Sequence, residues 1–94
     1  MLDFLGEIKM IKLYKIECTA KGKRKTLVST YKTMEECMGY VNDYARNRGS
    51  MYMRFWQDQD GSLNVDYGSH YDFLLLKPTC KKSEYEITQW LFNK

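Results

Sequence analysis

Thr33-Met34-Glu35-Glu36 constrains this chain more than any other stretch. A threonine followed three residues later by glutamate is a capping box, in which hydroxyl and carboxylate satisfy free amides at a helix start. Met34, Cys37, Met38, Val41, Tyr44 and Ala45 then recur at helical spacing as one apolar stripe. Arg46 and Arg48 complement the C-terminal dipole, and Gly49 can close the helix in a left-handed conformation. Gly39 falls on the opposite face, where it costs about 1 kcal/mol relative to alanine. The stripe has to be covered by another layer, and the flanking segments read as strands.

Residues 11–19 alternate, with Tyr14, Ile16 and Cys18 on one face and Lys15, Glu17 and Thr19 on the other. Ala20-Lys21-Gly22-Lys23 supplies a turn and Lys25 to Tyr31 a return strand, which puts the lysine cluster at a hairpin tip. Residues 51–57 form another strand, Asp60-Gly61 turns the chain, and Leu63, Val65 and Tyr67 continue on one face. After a break at Gly68-Ser69-His70, Tyr71 to Lys77 is either a fifth strand or the bent end of the fourth, and Pro78 ends it. Ser83-Glu84-Tyr85-Glu86 is a second capping box, followed by Ile87, Trp90 and Leu91 on one helical face with Tyr85 and Phe92 pointing elsewhere. The expected fold is α+β: an antiparallel sheet of four or five strands with one central helix and a C-terminal helix, in ββαββα order. It is one domain over residues 1–94, with 1–9 a flexible segment that could form a short amphipathic turn and 78–94 a linker and helix.

At 44% apolar and 29% charged residues the composition is that of an ordinary globular domain. The longest apolar run, Phe73 to Leu76, is too short to span a bilayer, and Met1 to Met10 carries Asp3 and Glu7 where a signal peptide would be basic and then apolar. The expected compartment is the cytoplasm, with no membrane partner. Cys18, Cys37 and Cys80 form no C-x-x-C pair and read as reduced thiols, the first two on core faces. Cys80, within Lys77-Pro78-Thr79-Cys80-Lys81-Lys82, is expected to be exposed beside ammonium groups that favour its thiolate.

No catalytic set, metal site or cofactor is expected. Ser69, His70 and Asp72 are sequence neighbours whose side chains alternate between faces, so they make no triad. Asp58-Gln59-Asp60-Gly61-Ser62 begins like a calcium loop, but the twelfth position is Ser69 where a bidentate glutamate is needed. No phosphate-binding glycine loop occurs.

Charge is distributed unevenly. From Lys9 to Lys32 eight basic residues face Glu17 alone, a net +7, whereas the charged residues from Asp58 to Asp72 are all acidic. This polarity suggests binding. The leading expectation is a non-enzymatic protein that inhibits or modulates a larger protein machine, such as a host nucleoprotein complex, by steric occupation. Tyr40, Tyr52, Arg54 and Trp56 would make the contact, and Asp58, Asp60 and Asp66 would steer a basic partner. The alternative is a nucleic-acid-binding module. There Lys21, Lys23, Arg24 and Lys25 would track phosphates, while Tyr52, Arg54 and Trp56 would stack and pair on an open sheet face. That requires an open face, and the expectation is instead that Ile87, Trp90 and Leu91 cover it. A third reading is a homodimer that buries Tyr85 and Phe92 of the C-terminal helix.

From Lys12 to Arg48 a basic ribbon leads through Tyr31-Lys32-Thr33-Met34-Glu35-Glu36-Cys37 into a helix. This resembles the arm-DNA-binding domains of phage-type integrases, which also pass from a sheet into a helix through a threonine-capped turn. Those domains place three strands ahead of the helix where two are expected here, and no residue role is carried over. In size and in richness of Lys, Tyr, Met and Asn the chain is similar to small accessory proteins of phages and mobile elements, anti-CRISPR and other anti-defence inhibitors among them. That likeness implies occupation of a partner's surface without catalysis.

Overall fold

A computed structural model describes residues 9–50, 52–69 and 71–94. In chain order the elements are β1 (Ile11–Thr19), β2 (Gly22–Tyr31), α1 (Met34–Asn47), β3 (Arg54–Gln57), β4 (Leu63–Asp66), β5 (Asp72–Pro78) and α2 (Lys81–Asn93). The strands form one antiparallel sheet in the spatial order β2-β1-β5-β4-β3, so the fold is α+β in ββαβββα order. β5 is a separate fifth strand, and it occupies the centre by pairing with β1 on one side and β4 on the other. The expectations for residues 1–8, Met51 and His70 lie outside the described residues.

α1 forms as its signals dictate. Thr33 Oγ1 accepts the Glu36 amide at 3.2 Å, all six stripe residues are buried, and Gly49 closes the end at φ +74°. α2 departs from the expectation by starting earlier. Its N-cap is Cys80, and Ser83 sits inside the first turn with its hydroxyl accepting the Cys80 amide at 3.1 Å. Glu86 is therefore released from capping its own helix, and it reaches α1 to accept the Met34 amide.

Ile11 and Leu13 of β1, Leu63 and Val65 of β4, and Leu74 and Leu76 of β5 all point to one side, where they meet the α1 stripe and Ile87 of α2. Both helices lie on that side. Strand alternation on β3 decides the position of α2: Phe55 turns toward the helices and takes the edge of Trp90 at 5.0 Å between centroids, so Arg54 and Trp56 turn away. This overturns the expectation that α2 covers the Tyr52, Arg54 and Trp56 face. No described element covers that side of the sheet.

Two more expectations are corrected on the hairpin. The chain turns at Ala20–Lys21 and β2 already begins at Gly22, whose φ of +122° suits glycine, so Lys23, Arg24 and Lys25 lie within a strand and not at a tip. Cys18 is exposed and not in the core, because the core face of β1 is the one that carries Ile11 and Leu13. A bulge at Val28, opposite the Leu13–Tyr14 step, turns that extra residue onto the core. Among the described residues no helix is long and apolar enough to cross a membrane.

Candidate nucleic-acid interface

The uncovered side of the sheet is assembled by strand pairing. Tyr14 lies between Leu27 of β2 and Leu75 of β5, and Leu75 pairs in turn with Asn64, which pairs with Trp56. One row thus crosses all five strands, and Tyr14 and Trp56 stand about 14 Å apart across three strand spacings. In the adjoining row Ile16 lies between Lys25 and Phe73, and the pair Arg54 and Asp66 continues it on β3 and β4. Ile16 is buried here, outside the main core, under its own neighbours on this face. Trp56 is 48% exposed and Leu27 51%.

Charge on this face is graded. Lys12, Lys23 and Lys25 occupy the β1–β2 side; the Lys25 ammonium stands 4.3 Å from the Tyr14 ring centre and that of Lys23 stands 5.8 Å from Phe73. These contacts hold the ammonium groups above the sheet beside the rings. The other side is acidic. Asp66 pairs with Arg54 at 3.0 Å, Asp58 accepts from Asn64 at 2.9 Å, and Asp60, in the turn, lies 3.7 Å from Lys77. The Ser62 backbone amide donated to Asp60 holds that carboxyl below its usual range.

The residues singled out from the sequence therefore separate. Arg54, Trp56, Asp66, Lys23 and Lys25 share the uncovered face, and Tyr52, exposed just before β3, has its ring centre 6.0 Å from the Arg54 guanidinium. Lys21 lies in the turn. Arg24 projects to the opposite face, where it pairs with Glu17 at 2.8 Å. Tyr40 is not part of the patch: it belongs to α1, its ring 6.4 Å from Tyr31 and 6.0 Å from Tyr44. Tyr14 and Phe73 belong to the site and were missed. The signal for Tyr14 was the second apolar register in β1, where Ile11 and Leu13 compete with Tyr14 and Ile16 for the core, and Phe73 of β5 joins it by pairing with Ile16.

A hollow of about 180 Å³ opens on this face beside Phe73, Trp56 and Tyr71, with Asp66, Ser69 and Cys18 also lining it. Asp66 is held at its wall by Arg54 and by the Gly68 amide at 2.9 Å. A larger cleft of about 400 Å³ lies at the end of α1, lined by Arg48, Ser50, Tyr52, Tyr67 and Asp72, with Arg48 stacked on Tyr44 at 3.7 Å.

Cys80 is half-buried at the start of α2, and its thiol is held below the ordinary range chiefly by the Ser83 backbone amide. Helix amides thus supply the effect expected from the neighbouring lysines. No protein-family model matches this chain, and no curated protein or solved structure does.

Proposed function

We propose that this is a non-enzymatic binding protein whose uncovered sheet face takes a single-stranded nucleic acid. The observation that supports this reading is the sharing of one uncovered face by Tyr14, Phe73 and Trp56 with Lys12, Lys23 and Lys25 along one side. Aromatic rings on a sheet stack against bases that no partner strand occupies, and such stacking contributes about 1–3 kcal/mol per base. The charge gradient orients the strand. Phosphates follow the lysines of β1 and β2, since Asp58 and Asp66 repel them from the other side, and the bases extend across the sheet toward Trp56. Three phosphate contacts correspond to a slope of about −2 in log affinity against log salt.

The test is fluorescence anisotropy of labelled single-stranded DNA, single-stranded RNA and duplex DNA at low and near-physiological salt. Single strands should bind with that slope and in preference to duplex, and Trp56→Ala should weaken binding at least fivefold. No binding at low salt, or binding untouched by Tyr14→Ala with Trp56→Ala, would sink the proposal. The second reading, occupation of a basic protein surface, draws on Trp56 standing beside Asp58 and Asp66. It takes precedence if the single strands fail to bind and Trp56→Ala with Asp58→Ala releases a captured protein.

A further inference from the structure

We propose that the hollow beside Phe73, Trp56 and Tyr71 holds one unstacked guanine, selected by the carboxylate of Asp66. This rests on the reading of the sheet face as a single-strand platform. The hollow has aromatic walls for a planar ring and the carboxylate of Asp66 at its wall, whereas Asp72, also among its lining residues, alternates toward the helix side of the sheet. The Asp66 carboxylate disfavours phosphate there, so it is the base end of a nucleotide that enters. The phosphate of the same nucleotide has its counter-charges across the face, at Lys23 and Lys25.

The chemistry of Asp66 narrows the base. One of its oxygens accepts from Arg54 and the other from Gly68, and an ionised carboxylate retains further lone pairs on both. Two oxygens side by side match two adjacent N–H donors. Guanine offers that pair at N1 and the 2-amino group. Thymine and uracil offer one N–H between two carbonyls, which a carboxylate repels. Adenine and cytosine place a ring acceptor beside their amino group. Arg54, tied to Asp66 and 69% exposed at its side chain, keeps donors for the guanine O6. Asp66 is thus a specificity residue, distinct from the lysines that supply affinity.

The experiment uses labelled dT11 and the same strand with one central dG, dI or dA, titrated against the full chain by anisotropy. A central dG should tighten binding at least fivefold over dT11, the low end of what a bidentate base contact delivers. Inosine, which lacks the 2-amino group, should lose most of that gain, and Asp66→Asn should bring the dG to dT ratio close to one. Equal binding of dG and dI strands to the unaltered chain would overturn the assignment, as would a dG gain that survives Asp66→Asn. The wild-type dG against dI comparison stands even if the variant folds poorly. Binding of dT11 without a dG gain removes the guanine site and leaves the platform, whereas failure to bind any strand removes both.

Discussion

The carboxylate of Glu86, in α2, accepts a hydrogen bond from the backbone amide of Met34 at 2.7 Å, across 52 residues of chain. Met34 opens α1, so its amide has no partner within its own helix. Thr33 satisfies the Glu36 amide of that turn, and Glu86 satisfies the Met34 amide while also pairing with Lys9. One side chain thereby fastens the two helices to each other at the end where α1 enters.

That contact has a pH signature. Burial pushes the Glu86 carboxyl upward, but Lys9 and the Met34 amide outweigh it, so its folded pKa lies below the ordinary 4.5. A carboxylate with a depressed folded pKa contributes stability that is fully present above its unfolded value and is lost as pH falls through the folded one. Glu86→Ala should lower unfolding free energy by about 1–2 kcal/mol at pH 7, as for loss of a helix cap. Urea melts at pH 7 and pH 3 should show that difference shrinking in acid, and a difference independent of pH would contradict the account.

Two glycines should respond in opposite directions to alanine. Gly39 lies within α1 with nothing within 4 Å of an added methyl, so Gly39→Ala should stabilise by about 1 kcal/mol. Gly61 has φ +90°, and an added Cβ would fall 2.7 Å from Glu84 Cγ. Gly61→Ala should destabilise by about 1–2 kcal/mol through the left-handed backbone alone. Thermal melts of both variants decide this; a loss of stability in Gly39→Ala would mean that the exposed side of α1 packs against something.

The helix stripe, the two hairpin turns and the parity of β3 were legible because each rests on contacts within a few residues of sequence. Thr33 needs only Glu36, and Gly61 needs only its own turn. The uncovered face was illegible for the converse reason. Whether Trp56 is buried depends on which side of β3 receives Trp90, a contact made with Phe55 across 35 residues that parity alone does not assign. The centre of the sheet had the same difficulty, since β5 pairs with β1 across more than 50 residues. Amphipathic strands with apolar residues on both sides, as in β1, leave the register between core and surface open until the helices dock.

Cys37 and Cys80 should separate by chemistry. Cys37 is buried and its pKa is pushed up to about 12, while Cys80 is held low by helix amides, first that of Ser83. Iodoacetamide at pH 7.5 followed by mass spectrometry should label Cys80 in the native protein and Cys37 only after unfolding. Lys81→Ala with Lys82→Ala should leave the Cys80 rate within about twofold, because side-chain charge is not the main cause. A tenfold slowing would restore the ammonium groups as the source.

Arg24 and Lys25 are adjacent in sequence and diverge in consequence. Lys25 stands over Tyr14 on the uncovered face, whereas Arg24 points through the other side of β2 to Glu17. If phosphates run along the lysines, replacing Lys23 and Lys25 with alanine should remove two contacts and make the salt slope shallower by about 1.4. Arg24→Ala lies off the track and should leave the slope within error. Both are read from anisotropy titrations over a range of salt concentrations. A slope that responds to Arg24 as strongly as to Lys25 would mean that the strand wraps the edge of β2, and the phosphate path across the sheet would have to be redrawn.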